Sequence, residues 1–249
     1  MSSAKFIYQT SASEFTDALM TECKKHPAVH HPYLSRLANG QYPNHQLAVK
    51  DFARQYGFYS ANFTKALIAV QSRLDDDLER QIIGDNLREE EGSPDSVSLE
   101  GLPHRELFRL FSRQVGVDND PGESEGVCLT VKLWTRFLIE QCAAEPVEFA
   151  IGAIGLGTEL IVPTIYPKLI QAVDRLEVAD RSEARMFFSL HLGADDQHGA
   201  AFLRIATNHA RSQESREALR FGAISSLNLR KCFYDTMDVR AMGADDVIH

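Results

Sequence analysis

The chain has 249 residues, of which 44% are hydrophobic, enough to bury a sizeable core within one domain. Its formal net charge of −9 argues against a nucleic-acid or anionic-membrane surface, because both need clustered Lys and Arg. We read no stretch of about 18 apolar residues, and Met1 to Thr10 lack a cationic region followed by an apolar one, so neither a membrane span nor a signal peptide is expected and the cytoplasm is the expected location.

In chain order, Ser11 and Glu14 have capping-box spacing, and Phe15, Ala18, Leu19 and Cys23 follow at helical intervals until His26-Pro27. Leu34 and Leu37 sit on a short helix ended by Asn39-Gly40. Asn44 can cap a long helix from about Gln46 towards Ser72, with Leu47, Phe52, Tyr56, Tyr59, Phe63, Leu67 and Val70 on its buried side. A helix over about Asp76 to Glu91 closes in NLREEEG, and the triplet Glu89-Glu90-Glu91 taken alone reads as a solvated helix end. Pro103-His104 opens the next helix, with Leu107, Phe108, Leu110 and Phe111 as its apolar stripe. Another covers about Glu125 to Ala144.

The stretch Val147 to Val173 reads as one helix that bends just past Glu159, because Pro163 has no N–H for the Glu159 carbonyl. Gly152, Gly155 and Gly157 each weaken a helix by about 1 kcal/mol relative to Ala. Their clustering calls for close approach of another backbone, or for room for a small ligand. Helices over about Ser182 to Ala210 and Glu214 to Met237 complete the chain, the last turning Leu219, Ile224, Leu227 and Phe233 inward. Strand patterning is nearly absent. The expectation is therefore an all-α, single-domain bundle of about seven to eight helices over 1–249, with 1–10 and 240–249 as peripheral tails. Cys23, Cys128, Cys142 and Cys232 are scattered singly and read as reduced core thiols.

Chemistry concentrates in the Ser182 to Ala210 helix. His191, Asp195 and His198 stand at offsets 0, 4 and 7, which at 100° per residue places them at about 0°, 40° and 340° on one face. Either histidine alone is most simply a satisfied core residue. Three ionisable groups on one face of an apolar helix would be costly to desolvate, and a divalent transition metal is the partner that satisfies all three. Glu159, the one charged residue between Glu148 and Lys168, is similarly exposed to that cost unless it pairs with an arginine or a metal. The two E-x-x-H pairs of ferritin-like di-iron bundles are absent.

HPYLSRLANGQ followed by DFARQYGFY, then NLREEEG, a downstream HRELF, Glu159 and H-x3-D-x2-H, in that order, resembles the heme-oxygenase-like fold. Within that fold, which also holds the TenA-like and PQQ-synthesis-type oxidases, the pattern looks like the non-heme di-iron oxidases and oxygenases that include the CADD-like proteins. The resemblance runs from about His26 to Asp235. It implies six ligands, Glu90, His104, Glu159, His191, Asp195 and His198, holding two Fe(II) ions with O2 as co-substrate. The choice among Glu89, Glu90 and Glu91 rests on register against Gly92, and Glu100, four positions before His104, is an alternative. Three carboxylates and three neutral imidazoles against two Fe(II) leave a site charge of about +1, suited to an anionic group. The family acts on free amino acids, fatty acids and aromatic precursors by N-oxygenation, C–C cleavage or desaturation. The resemblance also allows an external electron donor and a homodimer. A metal-independent oxidase or binding protein of the same fold, like the PQQ-synthesis type, is the competing expectation. A thiaminase-type activity is disfavoured, since no cysteine falls in the TELIVPTIY segment. Tyr56, Tyr59, Phe63 and Trp134 are expected to serve the core rather than a pocket.

Overall fold

The structure, a computed structural model, is described for residues 10–92 and 98–243, and from 193 to 197 for the backbone alone. Every element among the described residues is helical. Helix α1 (Ala12–Lys25) starts with the expected capping box, Ser11 accepting from the Glu14 backbone while the Glu14 carboxylate accepts from Ser11. Helix α2 (Pro32–Asn39) ends at Gly40, which adopts φ 64° and donates back to Arg36 and Leu37.

The expected long helix after Asn44 is two helices, α3 (His45–Ser60) and α4 (Phe63–Gln71). The cause lies at Asn62. Its side-chain amide donates to the Phe58 carbonyl at 2.7 Å, taking the acceptor that its own backbone N–H would have used in a continuous helix. Helix α5 (Asp77–Glu91) is capped by Asp76, and helix α6 (His104–Gln114) begins at His104 directly after Pro103. Helix α7 (Leu129–Ala144) starts later than the periodicity suggests. Fully buried Gln55 holds the preceding loop, donating to the Gly126 carbonyl at 3.0 Å and accepting from Cys128 N–H at 2.9 Å.

The expected bent helix from Val147 is instead broken. Helix α8 (Val147–Ile151) runs into a π-helical turn (Gly152–Leu156), then a 3-10 turn (Glu159–Ile161), before α9 (Val162–Asp174). Pro163 sits in the first turn of α9, where its missing N–H costs nothing, so a new helix begins there rather than an old one bending. The glycines answer to backbone approach. A Cβ on Gly152 would lie 2.0 Å from the Leu219 carbonyl oxygen, and one on Gly222 would lie 2.0 Å from that of Phe149. Residues 147–174 are long and apolar enough to cross a membrane by length and composition, contrary to our reading that no such stretch exists. Their most apolar window is 83% buried inside the protein, which accounts for that composition as core.

The two longest helices close the chain: α10 (Arg181–His209) and α11 (Gln213–Met242). Helix α10 lies against α9, α6 and α1, while α11 covers α8 and the π turn. One core joins all of these elements, with Trp134, Tyr33, Tyr234 and most of the phenylalanines in it fully buried. Of the cysteines, Cys23 and Cys142 are buried as expected, but Cys128 is half-buried and Cys232 lies exposed on α11, so two of the four are not core thiols.

Candidate metal centre

Three helices bring the candidate ligands together. Glu90 occupies the last turn of α5, His104 the first position of α6, and His191 the middle of α10. A ligand atom from each lies within 4.8 Å of the others. His104 Nδ1 stands 3.0 Å from Glu90 Oε2, and His191 Nε2 stands 4.0 Å from Glu90 Oε1. The two imidazole rings are 4.4 Å apart between centroids.

Fourteen positions separate Glu90 from His104, and a glycine brings them back together. Gly92 ends α5 with φ 58°, a conformation that side-chain-bearing residues rarely adopt. A Cβ there would lie 2.4 Å from Pro103 N and 2.5 Å from the Leu102 carbonyl carbon. The end of α5 therefore rests on the backbone that starts α6, and the carboxylate of one faces the imidazole of the other.

The protonation states suit a cation. His191 Nδ1–H donates to the Phe187 carbonyl at 2.6 Å, so Nε2 carries the lone pair and faces Glu90. Burial first, and then the neighbouring His104, hold the His191 imidazole neutral, lowered to about 4. Burial pushes the Glu90 carboxyl up, but His104, by charge and by hydrogen bond, outweighs it and leaves the group lowered. One ionised carboxylate and the free Nε2 lone pair of His191 are donors that a divalent transition metal accepts.

The other candidates fall around this core. Glu159, 4% exposed in its 3-10 turn, lines the same narrow cavity as Glu90 and His191. His198 Nε2 lies 2.9 Å from Glu89 Oε2, so neighbouring carboxylates of the acidic triplet meet different histidines. The side chain of Asp195 lies outside the described residues. Glu91 and Glu100 are exposed. The solvated-end reading of the triplet thus fails at Glu90, because the residues that cover it come from α6 and α10, far along the chain.

Tyr56, Tyr59 and Phe63 are buried, yet they also wall the cavity, together with Tyr166 and Phe187. Tyr56 and Tyr166 share a hydroxyl contact of 3.0 Å, and the Tyr166 ring lies 5.5 Å from that of His191. Trp134 stands behind this wall, stacked on Tyr59 at 3.9 Å. The cavity itself is tight, about 30 Å³, room for ions and a few small ligand atoms. Sequence inspection passed over Arg230, which backs the same wall. The available signal was its place between Leu227 and Phe233 on the inward stripe of α11, where a charged residue is unexpected.

Comparison with known proteins agrees with this geometry. Residues 50–231 match the family described as iron-containing redox enzymes. The chain is 25% identical over 199 residues, 80% of its own length and 79% of the relative's, to a 4-aminobenzoate synthase of Chlamydia muridarum (strain MoPn / Nigg). Among solved structures it is similar to a TenA homolog from Pseudomonas syringae pv. tomato str. DC3000, with TM-score 0.73 and 12% identity over 90% of this chain and 92% of that one. It is also similar to a CADD-like protein of unknown function from Nostoc punctiforme PCC 73102, with TM-score 0.70 and 13% identity over 94% of this chain and 99% of that one. The fold is heme-oxygenase-like, as the motif order implies. With a matched segment that contains Glu90, His104 and His191, the chain belongs to the family of iron-containing redox enzymes.

Proposed function

We propose that the protein is an O2-dependent, non-heme di-iron oxidase or oxygenase acting on a small molecule. The observation that carries this reading is the convergence of Glu90, His104 and His191 within 4.8 Å beside a narrow aromatic-walled cavity. Glu90, His104, Glu159, His191, Asp195 and His198 would hold the metal. When bound, the iron pair supplies the electrons that reduce O2 and so drives oxidation of a substrate held next to it.

The chain's own residues prepare the site. The Phe187 carbonyl fixes the ring and tautomer of His191, so that ligand needs no rearrangement. Phe63, Val162 and Phe187 offer apolar contact to a substrate body. Tyr56, Tyr59 and Thr158 add hydroxyl groups to its wall. The chlamydial relative's name, 4-aminobenzoate synthase, favours a biosynthetic reaction on a small molecule, with an aromatic precursor among the candidate substrates. A reaction that draws fewer electrons from substrate than O2 takes up needs an external donor. We place the enzyme in the cytoplasm.

Anaerobic Fe(II) titration of the full chain, followed by Mössbauer spectroscopy, tests the reading. The expected result is close to two iron ions per chain and oxidation of both on exposure to O2. Saturation at one iron or fewer removes the dinuclear claim. Asp195→Ala should lose metal retention, and an unchanged metal content would remove Asp195 from the ligand set.

A further inference from the structure

Asn86 is 3% exposed in α5, yet neither its amide nitrogen nor its amide oxygen has a hydrogen-bond partner. No other buried side chain among the described residues leaves two polar atoms in that condition. An amide taken out of water without a partner opposes folding, whereas an apolar side chain of the same shape does not. A polar residue kept against that cost points to function rather than to packing.

Its place on α5 says which function. Glu79, Ile83, Asn86 and Glu90 stand at offsets 0, 4, 7 and 11, at about 0°, 40°, 340° and 20° around the helix, so they share one stripe. That stripe meets α10 towards both ends: Glu79 Oε2 lies 2.9 Å from His209 Nε2, and Glu90 Oε1 lies 4.0 Å from His191 Nε2. Asn86 falls between them, three positions before Glu89 and four before Glu90, the spacings at which helical side chains are neighbours. Side chains on a helix lean towards its N-terminus, so both carboxylates lean back over the turn that carries Asn86.

Glu89 faces His198 Nε2 at 2.9 Å, and Glu90 faces His104 Nδ1 at 3.0 Å. Each carboxylate is thus served by a ring nitrogen that is itself a candidate metal donor. A nitrogen that gives its lone pair to a cation has no proton on that atom for a carboxylate. A buried carboxylate oxygen that is not itself on the cation then needs another donor, and the Asn86 amide is uncommitted one turn away.

We propose that Asn86 is a positioning residue of the metal centre, whose amide donates to the Glu90 carboxylate when His104 gives its lone pair to the metal. This rests on the reading of Glu90 and His104 as ligands. The donor is neutral, so it orients the carboxylate without changing the charge of the site.

Asn86→Leu and Asn86→Asp, both close to asparagine in volume, are compared with the unchanged full-length protein with and without Fe(II). Without metal, Asn86→Leu should melt about 2–4 °C higher, because two orphaned polar atoms are removed. Anaerobic titration should show Fe(II) bound about tenfold or more weakly, the usual loss when a hydrogen bond to a metal ligand is deleted. Asn86→Asp keeps the shape but exchanges the donor for an acceptor, and should weaken Fe(II) binding at least as much. Asn86→Asp and Asn86→Ala carry the affinity test if Asn86→Leu does not fold. Ile83→Val, one turn earlier on the same stripe, is the packing control: it should melt lower and bind Fe(II) normally. The proposal is overturned if the Asn86 variants bind Fe(II) as tightly as the unchanged protein, or if Ile83→Val weakens binding equally. Failure of the unchanged protein to bind Fe(II) overturns the metal reading and this inference with it, so that first titration tells the two failures apart.

Discussion

Gly92 and Pro103 meet backbone to backbone: a Cβ on Gly92 would lie 2.4 Å from the proline nitrogen, and this contact brings Glu90 to His104. Gly92→Ala must therefore both strain a φ of 58° and push α5 away from α6. We expect a loss of about 2–4 kcal/mol, the sum of a left-handed penalty and an overpacking cost. Iron stoichiometry should fall with it, as Glu90 leaves His104. Urea melts and Fe(II) titration of the same variant check both, and a variant that is destabilised but loads iron normally would separate the turn from the metal centre.

The reciprocal glycine contacts between α8, the π turn and α11 make a second prediction. Gly222→Ala places a methyl 2.0 Å from the Phe149 carbonyl oxygen, and Gly152→Ala places one equally close to that of Leu219. Neither obstacle is a flexible side chain, so each variant should lose about 3 kcal/mol or more, at the upper end of overpacking costs. Gly199→Ala serves as the control, because its nearest neighbour would be at an ordinary 3.5 Å. Thermal melts showing equal losses at all three positions would contradict the close-approach account.

Acid stability should depend on Asp238. Burial raises its carboxyl, but hydrogen bonds from Arg36 and Tyr42 more than offset that and leave it lowered. Its folded value thus lies below the ordinary 3.8, so its contribution is fully present above that value and is lost as the pH falls through the folded one. Asp238→Asn should cost about 1–2 kcal/mol at neutral pH and flatten the acid limb of the stability curve below about pH 4. Chemical denaturation from pH 3 to 7 measures this. An acid limb as steep as in the unchanged protein would place the acid sensitivity elsewhere.

Thiol labelling should distinguish the four cysteines. Cys232 is exposed, whereas burial pushes the Cys23 and Cys142 thiols up to about 12 and closes both to solvent. In the native protein Cys232 should label first and half-buried Cys128 more slowly, with Cys23 and Cys142 reacting only on unfolding. Cys232→Ser should remove the fast phase. Fast labelling of Cys142 would mean that α7 opens locally.

Local chemistry was legible along much of the chain. The Ser11–Glu14 capping box, the Gly40 stop, Pro103 before His104 and the one-faced spacing of His191 and His198 follow from short-range rules, because caps and periodicity act within a turn or two. Two long helices were misread for want of a competing bond. At Asn62 a side chain displaced a backbone donor, and at Pro163 a helix began anew instead of bending. The fold class was likewise readable from apolar periodicity and motif order.

Only the tertiary structure decided which member of the acidic triplet faces His104 and His191. Glu89, Glu90 and Glu91 are chemically alike, and the difference between them is whether α6 and α10 arrive to cover the side chain, a contact made across 14 and 101 positions of sequence. The same holds for Arg230, which is buried only because Tyr59 and Trp134, from α3 and α7, close over it. Sequence by itself determined the candidate ligand types and the helices that present them. Packing alone set their separation, burial and protonation, because those depend on long-range neighbours that no local pattern encodes.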